Sequence, residues 1–276
     1  MKYLGRIAPS PTGFLHLGHA RTFWIAQERC RAAGGTMLYR NEDLDTARCK
    51  PEFQSAALED CRWLGLVWQG EPVNQSDRMD HYEEALEKLK QDGHLFPCIC
   101  TRKDIQEATT APHSEESEML YPGTCRQALA TTGDQPANWR FRVPDSKVIE
   151  FQDGHFGPQQ FVAGRDFGDF PVWQKTGTPS YQLAVVVDDA AMGITEVVRG
   201  ADLLTSTARQ LLLYDALGLT PPAFFHCDNL RRVILGALLR LTRWCLDELA
   251  LLSSLLISNS YGLFGASSGR GDGGPS

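Results

Sequence analysis

The chain is short of positive charge. Its 27 lysines and arginines are outnumbered by 34 acids, giving a formal charge of −7 over 276 residues. A protein that coats nucleic acid without selectivity shows a basic stripe, often interleaved with aromatics, and none is visible here. A local patch remains compatible with a nucleic-acid substrate. Lysine is absent after Lys175. No apolar run of about 18 residues occurs before residue 230, and Val233 to Ile257 is interrupted by Arg240, Arg243, Asp247 and Glu248, which argues against a membrane span. Met1 to Ala8 lacks the apolar core of a secretory signal. No internal repeat is found. A cytoplasmic protein with no membrane partner is expected, and a monomer.

Hydrophobic content of 42% and charged content of 22% are ordinary for a globular enzyme, and the length suits one large domain or a domain with an insertion. Tyr3 to Ala8 reads as a buried strand, broken by Pro9-Ser10-Pro11-Thr12-Gly13. A helix follows over His19 to Ala33 and ends at Gly34-Gly35. Thr36 to Arg40 reads as a strand, Pro51 to Leu64 as a helix, and Asp77 to Gln91 as a helix capped at Ser76. That order opens a parallel α/β domain. From Phe96 to about Asp166 the pattern is irregular, with polar loops over Thr109 to Ser117 and Thr131 to Asn138, as an insertion would be. Tyr181 to Val187 and Gly193 to Arg199 read as strands, and Leu203 to Leu217 as a helix closed by Gly218. The expected division is 1–95 and 167–228 for two halves of one catalytic domain, 96–166 for the insertion, and 229–276 for a divergent tail. The tail is Gly/Ser-rich, and disorder is expected, from Gly265.

Two stretches carry candidate chemistry. His16 and His19 flank Gly18 where a loop becomes a helix. A helix N-terminus attracts phosphate, imidazoles there add donors, and a glycine lets a nucleotide approach the backbone. Taken alone, a Pro-rich turn with incidental histidines explains the pattern as well. Cys98 and Cys100 precede Tyr121 and Cys125. Three thiolates and a phenol could hold zinc tetrahedrally, although Cys-x-Cys is tighter than the usual spacing and buried free cysteines are the alternative. Water or His113 could stand in for the unusual tyrosine. The remaining cysteines are scattered.

Arg6-Ile7-Ala8-Pro9-Ser10-Pro11-Thr12-Gly13 followed by His16-Leu17-Gly18-His19 resembles the class I aminoacyl-tRNA synthetase signature in its glutamyl/glutaminyl form. Arg40-Asn41-Glu42-Asp43-Leu44-Asp45, Gln75 to Arg78, Tyr181 to Asp189 and Gly193 to Gly200 resemble further motifs of that family in the same order, and the likeness covers roughly residues 3 to 228. It implies a Rossmann-like parallel sheet of the nucleotidyl-transferase type with an inserted, zinc-bearing subdomain. It implies that Arg6, Ala8, Ser10, Glu42, Tyr181 and Arg199 bind glutamate, with Glu42 facing the α-amino group. It implies that Pro9, His16, Gly18 and His19 meet ATP, that His16 and His19 assist the chemistry, and that magnesium accompanies ATP. The short members carry the Cys-x-Cys and Tyr-x3-Cys set, which implies one structural zinc on Cys98, Cys100, Tyr121 and Cys125.

The likeness stops near residue 230, before any helical anticodon-reading domain. That resembles the stand-alone catalytic branch of the family, which implies transfer of glutamate to the queuosine base in the anticodon of tRNA(Asp); Val185, where tRNA-charging members often have Asn, leans the same way. Charging of a tRNA 3′ end is the alternative. A different nucleotidyl transferase, a zinc module that binds RNA, and an inactive remnant are further ones. The remnant reading arises because the family's mobile, lysine-bearing KMSKS-like loop should follow Asp228. The chain instead continues Arg231-Arg232-Val233 into leucine-rich sequence.

Overall fold

Strand β1 (Leu4–Ile7) opens the fold in a computed structural model that describes residues 2–108, 120–127 and 136–228. Helix α1 (Leu17–Ala32) follows and buries Phe23, Ala26, Gln27 and Cys30. Gly34 leaves it at φ 60°, a conformation glycine adopts without strain. β2 (Thr36–Asn41) lies parallel to β1, with Arg6 beside Leu38. α2 (Pro51–Trp63) starts on proline, which lacks only an N–H that a helix start would leave unpaired. β3 (Val73–Asn74) extends the parallel sheet from β2. A 3-10 turn over Gln75–Arg78 leads into α3 (Met79–Gln91). Tyr82, Ala85, Leu86 and Leu89 recur at helical spacing on its buried face. Ser76 does not cap α3: its N–H and hydroxyl both donate to the Asp43 carboxylate, at 2.9 and 2.7 Å.

β4 (Leu95–Cys98), β5 (Asn138–Phe141) and β8 (Phe170–Trp173) form an antiparallel sheet in the order β4-β5-β8, with α4 (Arg102–Ala108) after β4. β6 (Val148–Asp153) and β7 (Gly157–Val162) form a hairpin, and β6 also meets β10 (Ala223–Cys227) where Asp153 pairs with Phe224. This hairpin lies within the stretch read as irregular, yet it extends the sheet that carries β9 (Glu196–Gly200). β10 runs parallel to β9, and α6 (Leu204–Leu217) joins them, closed by Gly218 at φ 70°. β1 abuts β9 beyond its end: the Thr195 N–H donates to the Leu4 carbonyl at 2.8 Å, and the Leu4 N–H to the Thr195 hydroxyl at 2.9 Å. The parallel strands so gathered make a Rossmann-like α/β fold. Residues up to Asp228 form one compact unit.

One element differs in kind from its reading. Tyr181 to Val187 is not a strand but the start of helix α5 (Tyr181–Ala191), in which Leu183 to Asp189 are all buried. A helix enclosed on every side has no polar face, so its sequence lacks the 3.6-residue alternation that would announce it. The polar loop over 109–117, most of that over 131–138, His113 and everything after Asp228 lie outside the described residues. No described helix is long and apolar enough to cross a membrane.

Candidate active site

The signature loop after β1 turns back on α1. His16 is the N-cap of α1, and its Nδ1 accepts from the Gly18 N–H at 3.1 Å, while His19 Nδ1 accepts from the His16 N–H at 3.3 Å. The two rings stack with centroids 3.8 Å apart. Because both Nδ1 atoms accept, each neutral ring carries its proton on Nε2, as an outward donor. Burial and the neighbouring His16 hold the His19 imidazole below its ordinary pKa, which keeps it neutral. Gly18 has a reason the sequence did not reveal: a Cβ there would sit 2.8 Å from the His16 ring. The arrangement presents imidazole N–H groups beside a helix N-terminus, a setting for phosphate.

Pro9 joins this loop to the next motif, since the Glu42 N–H donates to its carbonyl at 2.9 Å. Ser10 Oγ reaches Glu42 Oε2 at 3.4 Å. Ser10, Glu42 and Tyr181 line one cavity of about 450 Å³, together with Asp45, Arg48, Gln75 and Thr178. Arg6 and Arg199 are buried rather than on its wall. Arg199 reaches the wall through Nη1, which donates to the Tyr181 hydroxyl at 3.3 Å. Half-buried Ala8 follows β1 in the same loop.

Beneath the cavity lies a charge network that the sequence did not announce. Asp188 and Asp189, at the end of α5, are almost fully buried. Asp189 Oδ1 is 2.7 Å from Arg40 Nη1 and 3.5 Å from Arg6 Nε. Asp188 accepts from Arg78 at 2.6 Å, from Gln75 at 2.8 Å and from the Tyr82 hydroxyl at 2.7 Å. Arg40 Nη2 also meets Glu42 at 3.1 Å. Burial works against the charge on Arg40, but Asp189, Glu42 and Asp188 more than offset it and raise its pKa. The signal available in the sequence was two adjacent acids closing an apolar run, a place where burial demands partners.

Arg199 is held differently. Its Nε donates to His226 Nε2 at 3.1 Å and its Nη2 to Thr207 Oγ1 at 2.6 Å. Among the described residues it forms no ion pair with a carboxylate.

In the antiparallel region, the sulfur atoms of Cys98, Cys100 and Cys125 all lie within 4.8 Å of one another, and Cys100 and Cys125 are 3.4 Å apart. The Tyr121 hydroxyl is 3.4 Å from Cys98 Sγ and 3.7 Å from Cys100 Sγ. Zinc–sulfur bonds of about 2.3 Å in a tetrahedron put sulfurs about 3.8 Å apart, so the donor set fits such an ion. Burial, then the Cys125 hydrogen bond, pushes the Cys100 thiol up to about 11. Burial works to raise the Cys125 thiol as well, but hydrogen bonds from Tyr121 and the Ile99 backbone outweigh it.

The fold and the motif order define a class I synthetase catalytic domain, and the comparisons agree. Residues 2–234 match the model of tRNA synthetases class I (E and Q), catalytic domain, and the chain belongs to that family of ligases. It is 46% identical over 237 residues to Glutamyl-Q tRNA(Asp) synthetase of Nitratidesulfovibrio vulgaris, covering 80% of this chain and 72% of that protein. It is 39% identical over 240 residues to Glutamate--tRNA ligase of Aquifex aeolicus, covering 84% of this chain and 49% of the ligase. Among solved structures, a glutamate tRNA ligase from Elizabethkingia meningosepticum in complex with its amino acid superposes with a TM-score of 0.71 at 28% identity, covering 83% of this chain and 49% of that one. The chain thus spans about half the length of these glutamate ligases.

Proposed function

We propose that the protein activates glutamate with ATP and transfers it to the queuosine base in the anticodon of tRNA(Asp). The observation that carries the first half is a contrast in how the buried arginines are paired. Arg6, Arg40 and Arg78 meet Glu42, Asp188 and Asp189, three cations against three anions in one buried network. Among the described residues Arg199 is a buried cation whose direct partners are all neutral, with the Asp153 carboxylate held off behind His226. Free glutamate carries two carboxylates and one ammonium, and its side-chain carboxylate complements a buried cation that no described carboxylate touches directly. Its side-chain carboxylate is assigned to Arg199 and its ammonium to Glu42, with Arg6, Ala8, Ser10 and Tyr181 shaping the site.

The α-carboxylate oxygen attacks the α-phosphorus of ATP in line, forming the mixed anhydride as pyrophosphate leaves with its magnesium. The Nε2–H groups of His16 and His19, with the start of α1, stabilise the charge that develops on the phosphates, and Pro9 and Gly18 shape the nucleotide's approach. A hydroxyl of the queuosine cyclopentene ring then attacks the glutamyl carbonyl, and AMP departs. No protein nucleophile is required. The likeness to Glutamyl-Q tRNA(Asp) synthetases over most of the chain supports the second half. Cys98, Cys100, Tyr121 and Cys125 would hold one zinc ion, whose part is to cross-link the antiparallel region.

Labelled glutamate incubated with ATP and either queuosine-bearing tRNA(Asp) or tRNA(Glu) tests the reading. Label recovered on the anticodon nucleotide of tRNA(Asp) is expected. Label on a 3′ terminal ribose would replace it with the charging reaction of the longer ligases. One zinc per chain is expected on metal analysis, and Cys98→Ser and Cys125→Ser should each lose it. Full zinc content and unchanged thermal stability in both variants would remove the metal site.

A further inference from the structure

His226 is fully buried in β10 and lies outside the sequence motifs described above. It stands directly beside Arg199 in the parallel register of β9 and β10. Arginine Nε can only donate, so His226 Nε2, 3.1 Å away, accepts. The ring proton therefore sits on Nδ1, where it donates to Asp153 Oδ2 at 2.6 Å. Asp153 ends β6 and is itself pinned: its carboxylate accepts the backbone N–H groups of His155, Phe156 and His226 at 3.0, 2.9 and 3.1 Å. Burial and the Arg199 charge hold His226 neutral, with a pKa of about 4. A chain of hydrogen bonds thus runs from the β6–β7 turn through Asp153 and His226 to the Arg199 guanidinium.

We propose that Asp153 and His226 are positioning residues for the substrate carboxylate: they fix Arg199 through its Nε so that its remaining donors face the side chain of glutamate. The inference rests on Arg199 being the glutamate-binding arginine. The order of the chain has a physical logic. A carboxylate directly against Arg199 would orient it but would also neutralise it, as Asp189 does for Arg40. A neutral imidazole interposed between them passes on the orientation of Asp153 and leaves the arginine charge to the ligand. Of the five N–H donors, Nε, one on Nη1 and one on Nη2 are committed to His226, Tyr181 and Thr207. Among the described residues the other two, one on each Nη, are left for a carboxylate.

The test is equilibrium binding of glutamate and, separately, of ATP to the full chain by calorimetry, with His226→Phe, His226→Gln, Asp153→Asn and Arg199→Ala. His226→Phe and Asp153→Asn should each weaken glutamate binding about tenfold, the size seen when a group orienting a metal-binding histidine is removed. ATP affinity should stay close to that of the parent. His226→Gln should recover part of the loss, because its amide oxygen can still accept from Arg199 Nε. A purely structural role would move glutamate and ATP binding together with the melting temperature, and that result would overturn the proposal. If Arg199→Ala weakens glutamate binding while the His226 and Asp153 variants match the parent, the relay is wrong and the pocket stands. If Arg199→Ala changes nothing, or the parent itself binds no glutamate, the pocket reading fails and takes the relay with it.

Discussion

Arg40 and Arg199 are both buried beside one cavity, yet one is surrounded by carboxylates and the other by neutral groups. Arg40 contacts Asp189 at 2.7 Å and Glu42 at 3.1 Å. Arg199 contacts a histidine, a threonine and a tyrosine. An ion pair closed inside the protein serves the fold, because removing either member strands the other in a medium that cannot solvate it. A buried cation with only neutral partners keeps its attraction for an anion from outside. Charge that is satisfied and charge that is held ready can thus lie close together, and the partners distinguish them.

The largest expected effect breaks that comparison if it fails. Arg40→Ala should lower folding stability by about 3–5 kcal/mol, because Asp189 and Asp188 lose a buried countercharge. Arg199→Ala should cost only about 1–2 kcal/mol, since it strands hydrogen-bond partners and no charge. Urea denaturation of the two variants measures the difference, and equal losses would erase the distinction. Ligand affinity should show the reverse order. Arg199→Ala and Glu42→Ala should each weaken glutamate binding by about 2–5 kcal/mol, each leaving one substrate charge unpaired in the site. Unchanged affinity in both would put the pocket elsewhere.

A pH dependence follows from His226. Its folded pKa of about 4 lies below the ordinary value of 6.5, through burial first and the Arg199 charge second, with Asp153 opposing. The unfolded chain therefore takes up the proton first as pH falls. The contribution is fully present above pH 6.5 and is lost as pH drops toward 4, about 3 kcal/mol in all. Asp153, held below the carboxylate range by its hydrogen bonds although burial works to raise it, adds a further loss below that window. Denaturation curves at stepped pH should show the slope between 6.5 and 4, and His226→Gln should flatten it; an unchanged slope would mean another group carries it.

Much of this site was legible in the sequence because its motifs are local. Pro9, Ser10, His16, Gly18 and His19 fall within one loop and the first turn of α1, and their geometry follows from capping chemistry. The cysteine set was legible for the same reason. What escaped reading depends on distance along the chain or on enclosure. Asp188 finds Gln75, Arg78 and Tyr82 more than a hundred residues away, and nothing local tells a buried aspartate from a loop cap. His226 was invisible because Asp153 sits in a stretch whose strands alternate too weakly to be recognised. α5 was read as a strand because the valines Val185 to Val187 favour extended structure, while burial on all sides removed the helical period. Ser76 shows the converse, a residue with capping chemistry drawn away by a better acceptor in Asp43.

The measurement that bears most directly on that contrast between Arg40 and Arg199 is ATP–pyrophosphate exchange in the absence of tRNA, run with glutamate, glutamine and aspartate in parallel. With Arg199 as the proposed partner of the side-chain carboxylate, exchange should depend on glutamate and be lost with glutamine, which offers no side-chain charge, and with aspartate, whose side chain is one methylene shorter. Exchange supported equally by glutamine, or no exchange with glutamate at all, would contradict the account.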